Sequence, residues 1–96
     1  MSYTVQIKEQ VRAFQATLGL QSRREIKRAI LRLSHEAGNI KALNDNLAGY
    51  YRLKVGRYRV IFRYLPGQVV DCVYLNERSL VYELFEAEMA RIVGQD

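Results

Sequence analysis

The chain lacks tryptophan altogether and holds one cysteine (Cys72), one histidine (His35) and one proline (Pro66) in 96 residues. Each scarcity removes a class of chemistry. A single cysteine cannot build an intramolecular disulfide or a multi-cysteine zinc site, which suits a reducing, cytoplasmic compartment. A lone histidine excludes paired-imidazole acid/base catalysis and the HExxH metal site, so no metal site is expected. Fully apolar runs such as Val60-Ile61-Phe62 are short, whereas a membrane span needs about 20 apolar residues. Met1 to Leu20 shows no apolar leader segment, so neither a membrane partner nor a secretory signal is expected. Repeats, low-complexity tracts and Pro/Gly-rich linkers are missing too, which points to a single domain over residues 1–96.

What is present is an ordinary core-forming composition with a basic balance. Hydrophobic residues make up 49% and charged residues 26%, and the net charge is +5. The first figure supports one hydrophobic core, and the last points to a polyanionic partner. The charge is unevenly placed. Arg23, Arg24, Lys27, Arg28 and Arg32 cluster with only Glu25 among them, and Arg52, Lys54, Arg57, Arg59 and Arg63 cluster with no acid. The end of the chain reverses this, with Glu83, Glu86, Glu88 and Asp96 against Arg91.

Periodicity supplies the elements. Tyr3, Val5 and Ile7 alternate with Thr4 and Gln6, a strand pattern. Val11, Phe14 and Leu18 then share one helix face, and Gly19 is expected to end that helix. Ser22 with Glu25 reads as a capping box opening a second helix. That helix carries Ile26, Ile30, Leu33 and Ala37 on one side and cations on another, and Gly38 is expected to end it. The polar stretch from Gly38 to Gly49 reads as a loop.

Tyr50 to Leu75 reads as a β-meander. Val55-Gly56-Arg57-Tyr58 is a two-residue hairpin with glycine first, the type II′ signature. It fixes the register, placing Leu53 opposite Val60 and Tyr51 opposite Phe62 on an apolar face. The other face then pairs Lys54 with Arg59, Arg52 with Ile61 and Tyr50 with Arg63. Pro66-Gly67 marks the next turn. A two-residue loop there puts Val69, Val73 and Leu75 on the core face together with Asp71. A three-residue loop puts Val70, Cys72 and Tyr74 inside and sets Asp71 opposite Arg63. Both registers remain open at this point. Ser79 is a candidate cap for a last helix with the apolar stripe Leu80, Val81, Leu84, Phe85, Met89 and Ile92. The expected fold class is therefore α+β: an antiparallel β-sheet, made of the N-terminal strand and a three-stranded meander, covered by an N-terminal helical hairpin, with a C-terminal helix.

Opposed like charges destabilise a sheet by up to about 1 kcal/mol. Lys54, Arg59, Arg52 and Arg63 nevertheless gather on one face without a carboxylate, an arrangement that favours a polyanion site.

The run Leu47-Ala-Gly-Tyr-Tyr-Arg-Leu-Lys-Val-Gly-Arg-Tyr-Arg-Val-Ile-Phe-Arg63, with Arg78-Ser-Leu-Val-Tyr82, resembles the RelE/ParE toxin superfamily. The resemblance implies a toxin of a bacterial type II toxin–antitoxin pair, partnered by a cognate antitoxin. RelE-like members enter the ribosomal A site and cut mRNA there. ParE-like members inhibit DNA gyrase without cutting RNA. The basic sheet residues favour the RelE-like branch, with the 70S ribosome and mRNA as partners and no cofactor. By that resemblance Lys54, Arg59, Arg78 and Tyr82 are the catalytic candidates. Arg52 falls on a position that is lysine in the founding type. The founding type has an arginine six residues before the tyrosine, where this chain has Asn76. Many members use the arginine four residues before, which is Arg78 here.

The chemistry is self-consistent. Metal-free RNA cleavage uses the 2′-hydroxyl as nucleophile on the adjacent phosphorus. It needs a base, cations for the phosphorane and an acid for the 5′-oxygen. Like charges disfavour the protonated form of a lysine, so Lys54, opposite Arg59, suits the role of base. Arg52, Arg59 and Arg63 offer phosphate-binding forks. Tyr82 can stack on a base or orient the nucleophile, and Tyr50 can stack on a base. Arg23, Arg24, Lys27, Arg28 and Arg32 form a candidate ribosome contact. Two other classes stand beside this reading: a gyrase inhibitor of the ParE kind and an inactive basic RNA-binding relative.

Overall fold

The computed structural model describes residues 2–94. Its elements run β1 (Thr4–Ile7), α1 (Glu9–Ala16), α2 (Leu20–Leu31), β2 (Asn39–Ala42), β3 (Tyr51–Val55), β4 (Tyr58–Leu65), β5 (Val69–Glu77) and α3 (Val81–Val93). Short 3-10 turns occupy Arg32–His35 and Asp45–Leu47. The strands form one sheet in the order β1-β5-β4-β3-β2.

The α+β class is as the sequence implies, but the sheet is mixed. β1 pairs parallel with β5, Val5 beside Val70 and Ile7 beside Cys72, while the other pairs are antiparallel. Two helices and three strands separate β1 from β5 along the chain, so no tight turn dictates an antiparallel partner. The polar stretch expected as a loop holds β2, whose only half-buried residue is Ile40.

Helix boundaries also differ from expectation. α1 stops at Ala16, where the Thr17 hydroxyl donates to the Phe14 carbonyl at 2.7 Å. Gly19 opens α2 instead of closing α1: it is the extended residue immediately before that helix. Ser22 consequently lies inside α2, and no capping box forms. α2 ends at Leu31, ahead of Gly38, and the chain reverses through Glu36 in the left-handed region. Leu80, not Ser79, precedes α3, and it makes no side-chain cap bond.

The β3–β4 hairpin has the expected register throughout, from Val55 opposite Tyr58 to Tyr51 opposite Phe62. Gly56 has φ +58°, while Arg57 is not left-handed, as a type II′ turn requires. The β4–β5 connection is the three-residue one, Leu65 pairing with Val69, and it sets Asp71 opposite Arg63. A β-bulge then intervenes, because Ile61 pairs with Tyr74 but Phe62 with Cys72. The extra residue, Val73, switches the facing of the strand. Val70 and Cys72 lie inside on one side of it and Leu75 on the other, while Tyr74 turns to the opposite sheet face.

The sheet separates two cores. On one face Val11, Ile26, Ile30 and Leu33 from the helical hairpin pack on Leu53, Val60, Phe62, Val70, Cys72 and Leu75. On the other, Val81 and Phe85 of α3 pack on Ile61 and Leu47, with Tyr50, Val73, Tyr74, Tyr82 and Met89 around them. The cationic strip lies on this second face.

Candidate functional site

The hairpin and the strand pairings align the candidate residues in rows. One row crosses four strands as Asn39, Lys54, Arg59 and Asn76. The next crosses as Lys41, Arg52, Ile61 and Tyr74. Neighbouring strands stand about 4.8 Å apart, so the cations are packed closely. The two rows contain no carboxylate. Lys41 was not foreseen, because β2 has too little apolar alternation to announce itself.

Side-chain partners resolve the like-charge conflict. Arg59 is only 9% exposed, and its Nη1 donates to the Gly56 and Tyr58 carbonyls at 2.8 and 2.9 Å. It is drawn under the hairpin, away from Lys54. Arg52 donates through Nη1 to the Asn39 carbonyl and Oδ1 at 2.9 and 3.0 Å. Arg63 donates through Nε to Asp71 Oδ2 at 3.0 Å. Lys54 is exposed and makes no side-chain hydrogen bond or ion pair among the described residues. Among the described residues the strand face thus commits three guanidinium groups to protein acceptors and leaves two ammonium groups open, Lys54 and Lys41 at its edge.

Arg78 extends this end of the face. Its backbone N–H donates to the Arg57 carbonyl at 2.8 Å, which carries the β4–β5 ladder past Glu77, and its side chain is exposed. Glu77 itself pairs with Arg57 at 2.8 Å. Tyr82, in the first turn of α3, is half-buried against the second core. Tyr50 is half-buried, and its ring meets Phe85 edge-on at 5.1 Å. The α2 cations Arg23, Arg24, Lys27, Arg28 and Arg32 are all exposed. They belong to the helical layer on the other side of the sheet, so they and the strand cations form two surfaces. Cys72 is fully buried, and burial pushes its thiol up to about 12. His35 is exposed.

Among the described residues no three His, Cys, Asp or Glu side chains come together as metal ligands, and no helix is long and apolar enough to cross a membrane.

No family model and no curated protein is similar to the chain by sequence. Solved structures are. The RelBE2 toxin–antitoxin complex from Mycobacterium tuberculosis contains a chain matched with TM-score 0.73 at 23% identity, over 81% of this chain and 100% of that one. The archaeal RelE–RelB complex from Pyrococcus horikoshii gives TM-score 0.62 at 28% identity, over 81% and 97%. A double mutant of Escherichia coli toxin RelE in the free state gives 0.72 at 17% identity, over 96% and 99%. The chain has the fold of the RelE/ParE toxin superfamily. Within this RelE-like fold the exposed lysine of β3, the buried arginine of β4 and the arginine beyond β5 converge on the hairpin end of the sheet.

Proposed function

We propose that the protein is the toxin of a type II toxin–antitoxin pair and acts as a ribosome-dependent mRNA endoribonuclease. The observation that carries this reading is Lys54, the unpartnered ammonium on a carboxylate-free strip bordered by Arg52, Lys41 and Arg78. Likeness to structures titled as RelE toxins and their antitoxin complexes supports it.

In this reading Lys54, acting in its neutral amine form, takes the proton of the RNA 2′-hydroxyl and becomes the ammonium. The 2′-oxygen attacks the adjacent phosphorus, the bond to the 5′-oxygen breaks, and that oxygen leaves with a proton. The products are a 2′,3′-cyclic phosphate and a 5′-hydroxyl end. Arg78, exposed at the hairpin end of the sheet, reaches the phosphate and serves the leaving side. Arg52 binds a neighbouring phosphate with the donors that Asn39 does not use. Arg59 acts from beneath: it fixes the hairpin that presents Lys54, and its poorly solvated charge favours the developing phosphorane. Tyr82 borders the strip and orients the nucleotide. Lys54 stands exposed on the strip, so alignment of the mRNA falls to the ribosome, and such alignment can contribute about 7–11 kcal/mol. The exposed α2 cations serve as the contact to ribosomal RNA.

Primer extension on an mRNA incubated with purified protein, with and without translating ribosomes, tests this. Cuts that appear only with ribosomes, at a fixed place within codons, are expected. Folded protein that leaves the mRNA whole while inhibiting DNA gyrase would replace this reading with the ParE-like one.

A further inference from the structure

A second feature of the α3 face lies away from the catalytic candidates. Arg63 follows Arg59 by four residues on β4, about 13 Å along the strand and on the same face. Beside it opens a groove of about 470 Å³ between the sheet, α3 and the start of α1, lined among others by Lys8, Tyr50, Arg63, Tyr74 and Phe85. That volume falls within the range of small-ligand sites.

Beside the groove sits Asp71, which is fully buried. Its Oδ1 accepts from Gln6 Nε2 at 3.0 Å, and its Oδ2 faces Arg63 Nε at 3.0 Å and Lys8 Nζ at 3.8 Å. One carboxylate thereby orients two cations that both remain partly exposed, Lys8 by 51% and Arg63 by 38%. Arg63 spends only Nε on this contact, and its two terminal nitrogens have no acceptor among the described residues. The acids at the rim are matched, Glu9 by Arg12 and Glu88 by Arg91. Arg12 and Arg91 stand outside the lining, which itself holds two cations, Lys8 and Arg63, and two carboxylates, Glu9 and Glu88. Next to the cations stand Tyr50 and Tyr74, their rings held by Phe85 at centroid distances of 5.1 and 5.6 Å. Fixed cations beside fixed, half-exposed aromatic rings suit a ligand that joins an anion to a flat apolar ring, as a nucleotide does.

We infer that this groove is a subsite for one nucleotide of the RNA strand beyond the scissile phosphate, with Lys8 and Arg63 on its phosphate and Tyr74 against its base. The inference rests on the ribonuclease reading and extends it, because the strand direction of β4 leads from the Lys54 strip to the groove. Asp71 is a positioning residue that aims the two cations.

The test measures fluorescence anisotropy with two labelled probes, a 2′-O-methyl hexanucleotide and a 2′-O-methyl dinucleotide, neither of which can be cleaved. Lys8→Gln and Tyr74→Leu keep the buried Asp71–Arg63 pair and the apolar bulk, and their thermal melts establish that they fold. Each is expected to lower the ratio of hexanucleotide to dinucleotide affinity by about fivefold or more, the effect of losing a stacked base or its phosphate contact. An unchanged ratio in both folded variants overturns the subsite, as does a loss confined to antitoxin binding, which would make the groove a protein contact. Primer extension with ribosomes separates the two levels. Cleavage with an unchanged ratio removes the subsite alone. No cleavage with a reduced ratio removes the enzyme and keeps an RNA-binding groove.

Discussion

Lys54 and Arg59 are cross-strand neighbours with the same charge, yet their side chains play opposite parts. Arg59 satisfies two carbonyls of its own hairpin, whereas the Lys54 ammonium meets no acceptor among the described residues. Replacing Lys54 by methionine therefore removes a like-charge opposition and no contact. Lys54→Met is expected to melt within about 2 °C of the parent, a shift worth well under 1 kcal/mol in a chain this size, while ribosome-dependent cleavage falls about 100-fold or more. Normal cleavage by that variant would take Lys54 out of the mechanism. Asp71 makes the reverse case. It is buried with three partners, so Asp71→Ala strands Arg63 and Gln6 and is expected to cost about 3 kcal/mol in urea unfolding. Asp71→Asn keeps one acceptor oxygen, for Arg63, and its amide can donate to Gln6 once that side chain turns its oxygen inward, so it should cost less. Equal losses would mean that the charge carries the whole contribution and the retained shape none. The Cys72 thiol is raised to about 12 by burial from an ordinary value of 9.0. A raised folded value means stability that is intact below pH 9 and lost as pH climbs from there towards 12. Cys72 should resist a thiol reagent at pH 8 until denaturant is added. Rapid labelling of the native protein would show that its strand opens readily.

Among the elements, the hairpin was legible because one glycine does all the specifying: its positive φ selects the turn, and the turn selects the register of every pair behind it. The third meander strand was only half legible. The three-residue loop and the Asp71–Arg63 pairing were one of two readings, but the bulge at Val73 turns Leu75 inward and Tyr74 outward, so each reading holds on one side of it. No local signal marks that bulge. β2 escaped because four residues whose only large apolar side chain is Ile40, with a small Ala42 two places on, give too short an alternation to read, and with it went Lys41, a cation of the candidate strip. The direction of β1 escaped because its partner lies at the far end of the chain. The cations of the candidate site were legible as a face, since charge and register are both written locally; their hydrogen-bond commitments, which divide Lys54 from Arg59, are not. β2 depends on one position that sequence could have flagged only as a helix stop. Gly38 has φ +132°, and a Cβ there would stand 2.8 Å from Leu53 Cδ1. Gly38→Ala meets both the backbone strain and the core leucine, and is expected to cost about 2 kcal/mol. Because Asn39 of β2 anchors Arg52, that variant should also weaken RNA binding in the anisotropy assay. Unaltered stability would show that the chain can enter β2 by another path.

At the scale of the molecule, the sheet is a wall between unequal cores. The helical-hairpin side buries residues from two helices and three strands, among them Val11, Ile26 and Phe62 with no exposure. The α3 side fully or nearly fully buries only Leu47, Ile61, Val81 and Phe85, and α3 leaves Leu84, Ile92 and Val93 substantially exposed. Apolar burial contributes roughly 25 cal/mol per Å², so the two layers cannot be equally stable. The sparsely buried layer opens first in such an arrangement. It is also the layer packed on the face that carries the cationic strip, with Phe85 against both Tyr50 and Tyr74. Amide hydrogen exchange is therefore expected to rank α3 below β4 and β5 in protection, with α1 and α2 following the sheet. Phe85→Ala should widen that gap: it removes the main anchor of α3, at a cost of about 3 kcal/mol or more where the layer stays docked, and leaves the hairpin-side core untouched. Protection of α3 equal to that of β4, in the parent or the variant, would mean that both layers unfold as one unit and that α3 cannot move independently of the sheet.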